Sequence, residues 1–263
     1  MRGFLIIAAI LISTWHGAVM AAEARESGLS ALRQAIDSND VKAVAHALDA
    51  GADPNTSDAY GVTPLVRAVV RGNQSIVIEL LKRGAAPNPP QAASTPLEAA
   101  LQSVANRRIV CNVPMVKLLL EHGAHANDAF PLSGELPLPR ALELGDIRCV
   151  NTLLDFGADP NMFSERGKPA LQAAVQGASE TNQTDVVTRM LALGLDVNGP
   201  AGRRGGPLVE AIFRNNVAVV RMLLRSGADP CLAGPRKVNA WDFAQASRVK
   251  EIRDLMAEYN CRS

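Results

Sequence analysis

Gly-Ala-Asp-Pro-Asn stands at Gly51–Asn55 and returns, altered, at Gly84–Asn88, Gly123–Asn127, Gly157–Asn161, Gly194–Asn198 and Gly227–Cys231. The leading glycines of these segments are 33, 39, 34, 37 and 33 residues apart. A chain that repeats itself at such a period builds a stack of small units, each unable to bury its own apolar side, and not one closed globule. Without the repeat, 263 residues would suggest one or two globular domains. Hydrophobic content of 48% with only 4% aromatics fits close packing of alanine- and leucine-rich helices. A formal net charge of +1 gives no general attraction to nucleic acid or to an anionic membrane.

Between these copies lies a second recurring segment, Thr63-Pro64-Leu65-Val66-Arg67-Ala68 and Thr95-Pro96-Leu97-Glu98-Ala99-Ala100. Weaker copies begin at Pro137, Ala170, Pro207 and Ala240. Chemically this is a helix start. Threonine caps the first free amides, and proline at the first helical position gives up an N–H that had no partner. A second amphipathic helix follows, as in Ile76–Arg83 and Val219–Arg225, and ends at a glycine able to turn left-handed. Asp-Pro-Asn then redirects the chain toward the next cap. Counting from Leu32–Ala35 with Val41–Leu48 to Trp241–Met256 predicts about seven such units.

With both motifs recurring in phase, the chain resembles the ankyrin-repeat family. The resemblance implies an all-α ankyrin-repeat solenoid over residues 27–261, with projecting β-hairpin loops. It further implies a concave groove of hairpin tips and first helices that binds a protein partner, with no cofactor and no catalysis. Two departures stand out. The histidine usual after leucine is replaced by Val66, Glu98, Pro139, Gln172, Val209 and Asp242. Insertions near Ser103–Val113 and Gly177–Thr184 lengthen the third and fifth units, and are expected as loops at the end opposite the hairpins.

The N-terminus lies outside the repeat. Met1-Arg2, the apolar run Phe4–Ile12 and the small residues around Ala18–Ala22 have the pattern of a secretory signal over residues 1–21, cut after Ala21. The alternative is a retained anchor, but His16 and Gly17 interrupt the run and no basic stop follows. Export makes disulfides permissible for the remaining Cys111, Cys149, Cys231 and Cys261, whose even count allows three pairings. Stacked neighbouring units bring Cys111 near Cys149 and Cys231 near Cys261; the bland alternative is four buried small hydrophobes.

Catalytic chemistry finds little support. His122 and His125, with Cys111, would be a thin metal set, and both histidines occupy ordinary repeat positions, so no metal site is expected. Asp53, Asp159 and Asp229 recur because the turn needs them. Gly202–Gly206 is an arginine-bearing tip without the lysine-hydroxyl ending of a phosphate cradle. An enzyme with an unrecognised site is the alternative from a different class.

The candidate partner-binding residues are the ring-bearing tips Tyr60, Phe130 and Phe163, and the groove-facing helix ends Val70, Arg71, Glu143, Leu144, Phe213 and Arg214. Late tips add Arg166, Arg203, Arg204, Arg236 and Lys237, whereas the early ones carry Asp58, Asp128 and Glu135. Such polarity suits a protein partner with an acidic surface; charge kept for solubility alone is the alternative. Together these features predict a secreted, periplasmic binding module similar to bacterial exported ankyrin-repeat proteins, with no stable membrane insertion after cleavage. Two roles fit it: an immunity-type inhibitor of a periplasm-acting toxic enzyme, or an accessory that protects a periplasmic enzyme under oxidative stress.

Overall fold

A computed structural model describes residues 26–90, 92–105, 108–162, 170–181, 184–199, 206–234, 238–259 and 261. The signal expected over residues 1–21 lies outside them. Contacts divide the chain into two compact units, Met1–Ala99 and Ala100–Ser263, and the division falls inside helix α5.

The first unit holds α1 (residues 26–37), α2 (Val41–Asp49), α3 (Pro64–Arg71), α4 (Gln74–Lys82) and most of α5 (Pro96–Leu101). Helix α4 packs against both α3 and α2. The second unit contains α6 (Val113–Glu121), α7 (Pro137–Leu144), α8 (Ile147–Asp155), α9 (Ala170–Thr181) and α10 (Thr184–Ala192). It continues with α11 (Pro207–Phe213), α12 (Val217–Arg225), α13 (Ala240–Gln245) and α14 (Lys250–Ala257). Here α7, α9, α11 and α13 form a row of first helices, and α6, α8, α10, α12 and α14 a row of second helices. Helix–turn–helix units stacked in two rows are what the period predicts.

Local chemistry sets the boundaries. Thr63 Oγ1 accepts the Val66 N–H at 3.3 Å and Thr95 Oγ1 the Glu98 N–H at 3.1 Å, so both Thr-Pro starts are true caps. Between paired helices the chain passes through a left-handed residue: Asn39 (φ 61°), Gly72 (φ 76°), Gly145 (φ 73°) or Asn215 (φ 55°). Glycine and asparagine are the residues that tolerate this conformation. The next residue, Asp40, Asn73, Asp146 or Asn216, then caps the second helix through its side chain. At the far end of α4, Gly84 N–H bonds Leu81 O at 3.1 Å and Ala85 N–H bonds Leu80 O at 2.9 Å, closing the last turn.

The core lies between the helix rows. Ile76, Val77 and Leu80 in the first unit and Leu119, Leu153 and Leu223 in the second are fully buried. The alanine that closes each first-helix motif is sealed as well: Ala68, Ala141, Ala211 and Ala244 are all 0% exposed. A larger side chain there would hold neighbouring helices apart.

Both insertions differ from the loops expected. The first forms a hairpin of β1 (Ser103–Ala105) and β2 (Arg108–Val110), antiparallel, with Val104 opposite Ile109. Its β-branched residues favour a pleated backbone. The second is absorbed by α9, which runs for 12 residues as Ala-Leu-Gln-Ala-Ala-Val-Gln-Gly-Ala-Ser-Glu-Thr. Alanine, glutamine and glutamate are good helix formers, and no proline stops the extension.

Candidate protein-binding surface

In the first unit the hairpin turn that carries Tyr60 is built around Asp58. Its carboxylate accepts the Tyr60 N–H at 2.9 Å and the Val62 N–H at 3.1 Å, and pairs with Arg67 at 3.2 Å, with Arg33 further out at 3.8 Å. The Asp58 side chain is only 2% exposed. Burial pushes this carboxyl up, but the amides of Val62 and Tyr60, with the Arg67 and Arg33 guanidinium groups, hold it below the usual carboxylate value. Asp58 is therefore part of the framework and not the tip charge that the sequence suggested.

Arginines of α3 reach back to α1. Arg67 pairs with Asp37 at 3.0 Å and Arg71 with Asp37 at 2.8 Å. Burial raises the Asp37 carboxyl, and its bonds to Arg71 and Arg67 outweigh that, leaving it lowered. Arg71, expected to face a partner, thus tethers neighbouring units. In the second unit two other expected contacts pair within their own helices. Arg214 Nε bonds the buried Glu210 carboxylate at 2.9 Å, and Glu143 lies 3.6 Å from Arg140.

Phe130 corrects the sequence reading outright. It is 2% exposed, its N–H bonds Glu135 O at 2.9 Å, and its carbonyl accepts the Gly134 N–H at 2.9 Å. The ring is thus buried while its backbone closes the hairpin, and Leu132 beside it is exposed instead. Tyr60 and Val70 in the first unit are 82% and 67% exposed, and Phe213 in the second is 54% exposed. Leu144 is half-buried at the end of α7. Phe163, Arg166, Arg203, Arg204, Arg236 and Lys237 lie outside the described residues.

The histidines have local bonds: His122 Nδ1 with Leu118 O at 2.9 Å, and His125 Nδ1 with Asp128 Oδ2 at 2.6 Å. Among the described residues no group of three His, Cys, Asp or Glu side chains is placed to hold a metal ion, and no helix is long and apolar enough to cross a membrane. Cys111 and Cys149 have Cα atoms 6.4 Å apart, and Cys231 and Cys261 5.1 Å. Both pairs are within disulfide distance. A pocket of about 340 Å³ lies between the turn at Asp196–Gly199, the start of α11 and Asp229–Gly234, with exposed Leu232 on its rim.

The sequence reading missed one kind of contact that fixes this surface. Asn55 Nδ2 donates to Gly84 O at 2.9 Å, and its Oδ1 accepts the Ala86 N–H at 2.7 Å. Asn127, Asn161 and Asn198 do the same to Gly157 and Asp159, Gly194 and Asp196, and Gly227 and Asp229. Four of the six Gly-Ala-Asp-Pro-Asn segments are therefore clipped through their asparagines to the start of the following helix-end turn. The signal was visible in the recurrence of the asparagine itself.

The family model described as "Ankyrin repeats (3 copies)" matches residues 2–91, 32–130 and 138–233. The chain belongs to the ankyrin-repeat family. Among solved structures, the human ASB11 ankyrin repeat domain superposes with a TM-score of 0.62 at 25% identity, over 86% of this chain and 96% of that one. The ankyrin repeat domain of Bcl-3 gives a TM-score of 0.67 at 23% identity, over 86% and 97%, and shares the fold. Putative ankyrin repeat protein FPV014 of Fowlpox virus is 32% identical over 149 residues, 56% of this chain and 32% of that protein. Mitochondrial disaggregase of Bos taurus is 31% identical over 148 residues, 56% of this chain and 21% of that protein. The chain thus spans a third or less of the length of these curated relatives. The fold is the ankyrin-repeat solenoid of stacked helix–turn–helix units, and such repeats are protein–protein interaction modules.

Proposed function

We propose that this ankyrin-repeat chain is an exported, periplasmic binding module that covers a functional site on an enzyme, in the manner of an immunity protein. The observation that carries the reading is a division of labour among exposed side chains. Charged positions on the first helices are tied into intramolecular pairs, whereas Tyr60, Val70 and Phe213 hold large apolar surface in water. Exposed aromatic and aliphatic groups on an ordered scaffold are what a partner can desolvate at little conformational cost. Export is supported by the apolar Phe4–Ile12 run after Arg2 and by cysteines that come in matched pairs. The arginines and lysine at Arg203, Arg204, Arg236 and Lys237 favour an acidic partner surface.

The test is capture from a periplasmic extract on the immobilised chain, followed by assay of the retained enzyme with and without added chain. The expected result is one enzyme retained by the wild type, lost with Tyr60→Ala plus Phe213→Ala, and inhibited by the chain. A retained enzyme that keeps full activity and survives peroxide longer would replace inhibition with protection. Equal retention on wild type and double variant would remove these two side chains from the reading.

A further inference from the structure

The clip asparagine is replaced in one segment. Gly227–Cys231 carries cysteine where the four clipping segments carry Asn55, Asn127, Asn161 and Asn198. The turn itself is unchanged: Cys231 N–H bonds Asp229 Oδ1 at 2.8 Å, just as Asn198 N–H bonds Asp196 Oδ1 at 2.9 Å. Cysteine thus stands in the clip position with the clip backbone.

The receiving end corresponds as well. Asparagine clips donate to or accept from residues 29 to 35 positions ahead, and Cys261 is 30 positions ahead of Cys231. The amides that bond the asparagine oxygens belong to Ala86, Asp159 and Asp229, each three residues past the helix-capping Arg83, Phe156 and Ser226. Cys261 stands three residues past Glu258, which caps α14. What differs is the glycine. Gly84, Gly157, Gly194 and Gly227 present their carbonyls from left-handed φ of 81° to 89°. Tyr259 occupies that place after α14, and among the described residues only Asn39 and Asn215 adopt positive φ without being glycine. An asparagine at position 231 would lack the carbonyl geometry that it needs.

We propose that a Cys231–Cys261 disulfide is a covalent substitute for the asparagine clip, and that it makes the docking of the α13–α14 pair dependent on an oxidising compartment. The bridge forms by thiol–disulfide exchange. The Cys231 thiolate attacks the disulfide of a thiol oxidant, and Cys261 then displaces that oxidant from the mixed disulfide. Two thiols are oxidised, the oxidant's disulfide is reduced to two thiols, and both protons end there. A covalent link between residues 30 apart needs no left-handed glycine at the receiving turn. The bridge needs the export that the proposed function includes, but it stands on the register of the clips and not on the proposed partner.

Two measurements on the full chain test it. Alkylation without reduction, followed by peptide mapping, should recover the Cys231 and Cys261 peptides linked; both found alkylated in chain recovered from an oxidising compartment would overturn the bridge. Hydrogen exchange of the α14 amides should then quicken on the order of tenfold or more when reductant is added, also with Cys111→Ser and Cys149→Ser in place. Cys231→Asn with Cys261→Ala should ignore reductant at these amides and exchange as fast as Cys231→Ala with Cys261→Ala, because Tyr259 does not present the carbonyl; adding Tyr259→Gly to the asparagine variant should slow exchange. Equal exchange of the asparagine variant with and without Tyr259→Gly would refute the clip equivalence.

Discussion

Replacing Asp58 by alanine tests the framework of the first unit at its most concentrated point. The substitution removes the acceptor of the Tyr60 and Val62 amides and the anion facing Arg67, at 2.9, 3.1 and 3.2 Å. Tyr60 is exposed, so water can take over its amide; the Val62 amide and the Arg67 guanidinium are more sheltered. Hydrogen bonds to a charged group contribute about 1.5–3 kcal/mol each, and breaking one side of a sheltered pair leaves the other uncompensated. Counting the Arg67 and Val62 contacts and discounting the Tyr60 one gives a loss of about 3 kcal/mol. Asp58→Asn keeps an acceptor oxygen for the amides and loses only the ion pair, for about 1 kcal/mol. Because the folded-state carboxyl titrates below its unfolded value, its contribution is complete above about pH 4 and is lost as pH falls through the lowered value. The gap between wild type and Asp58→Ala should therefore be full at pH 7 and narrow in acid. Urea unfolding by circular dichroism gives the total, and hydrogen exchange of the α3 amides localises it, since stacked repeats need not unfold in one step. A loss below about 1 kcal/mol, or equal losses for alanine and asparagine, would show that Asp58 is not the anchor of this turn.

Asn198→Ala removes bonds to Gly227 O and Asp229 N–H, both exposed, and should cost about 1 kcal/mol, read as faster hydrogen exchange at Ala228 and Asp229. Ala211→Leu places a large side chain at a 0% exposed contact of the first-helix row and should cost about 2–3 kcal/mol in thermal or urea unfolding; an unchanged midpoint would mean that α9, α11 and α13 are not close-packed there. Tyr60→Ala, at an 82% exposed position, should leave stability within about 0.5 kcal/mol while lowering partner affinity on the order of tenfold by calorimetry.

The fold was legible because its instructions are local. Threonine before proline, glycine after an amphipathic run and Asp-Pro-Asn each act on amides within a few residues, so their chemistry can be read without a structure. The insertions were less so: whether a short extra segment pairs as β1–β2 or lengthens α9 depends on what it packs against. The side chains of the candidate surface were the hardest to read, because the partners of charged residues lie one repeat away. Yet a signal was there. Asp37 to Arg71, Asp49 to Arg83 and Asp155 to Arg189 are each 34 residues apart, so opposite charges separated by the repeat period announce tethers between units. Arg71, expected at a partner interface, belongs to that ladder, whereas Arg214 pairs within its own helix. Phe130 was misplaced for a different reason. Whether a ring at a hairpin tip is buried depends on what packs over it, and no period reports that.

This distinction bears on how a repeat stack acquires a partner. The asparagine clips, the helix caps and the period-spaced ion pairs use groups whose bonds are satisfied inside the chain, so substituting them changes the scaffold first and binding only through it. Tyr60 and Val70 contribute little to that scaffold: one has 82% and the other 67% of its surface in water, and neither lies in the sealed alanine row. An exposed apolar group costs a monomer little when single, and it lowers the free energy of association in proportion to the area a partner removes from water. Arg71→Ala should thus loosen α1 from α3 before it alters any interface, whereas Tyr60→Ala should alter an interface and leave α1 in place. Charge at these helix ends sets the geometry of the surface, and the exposed apolar side chains set what it can hold.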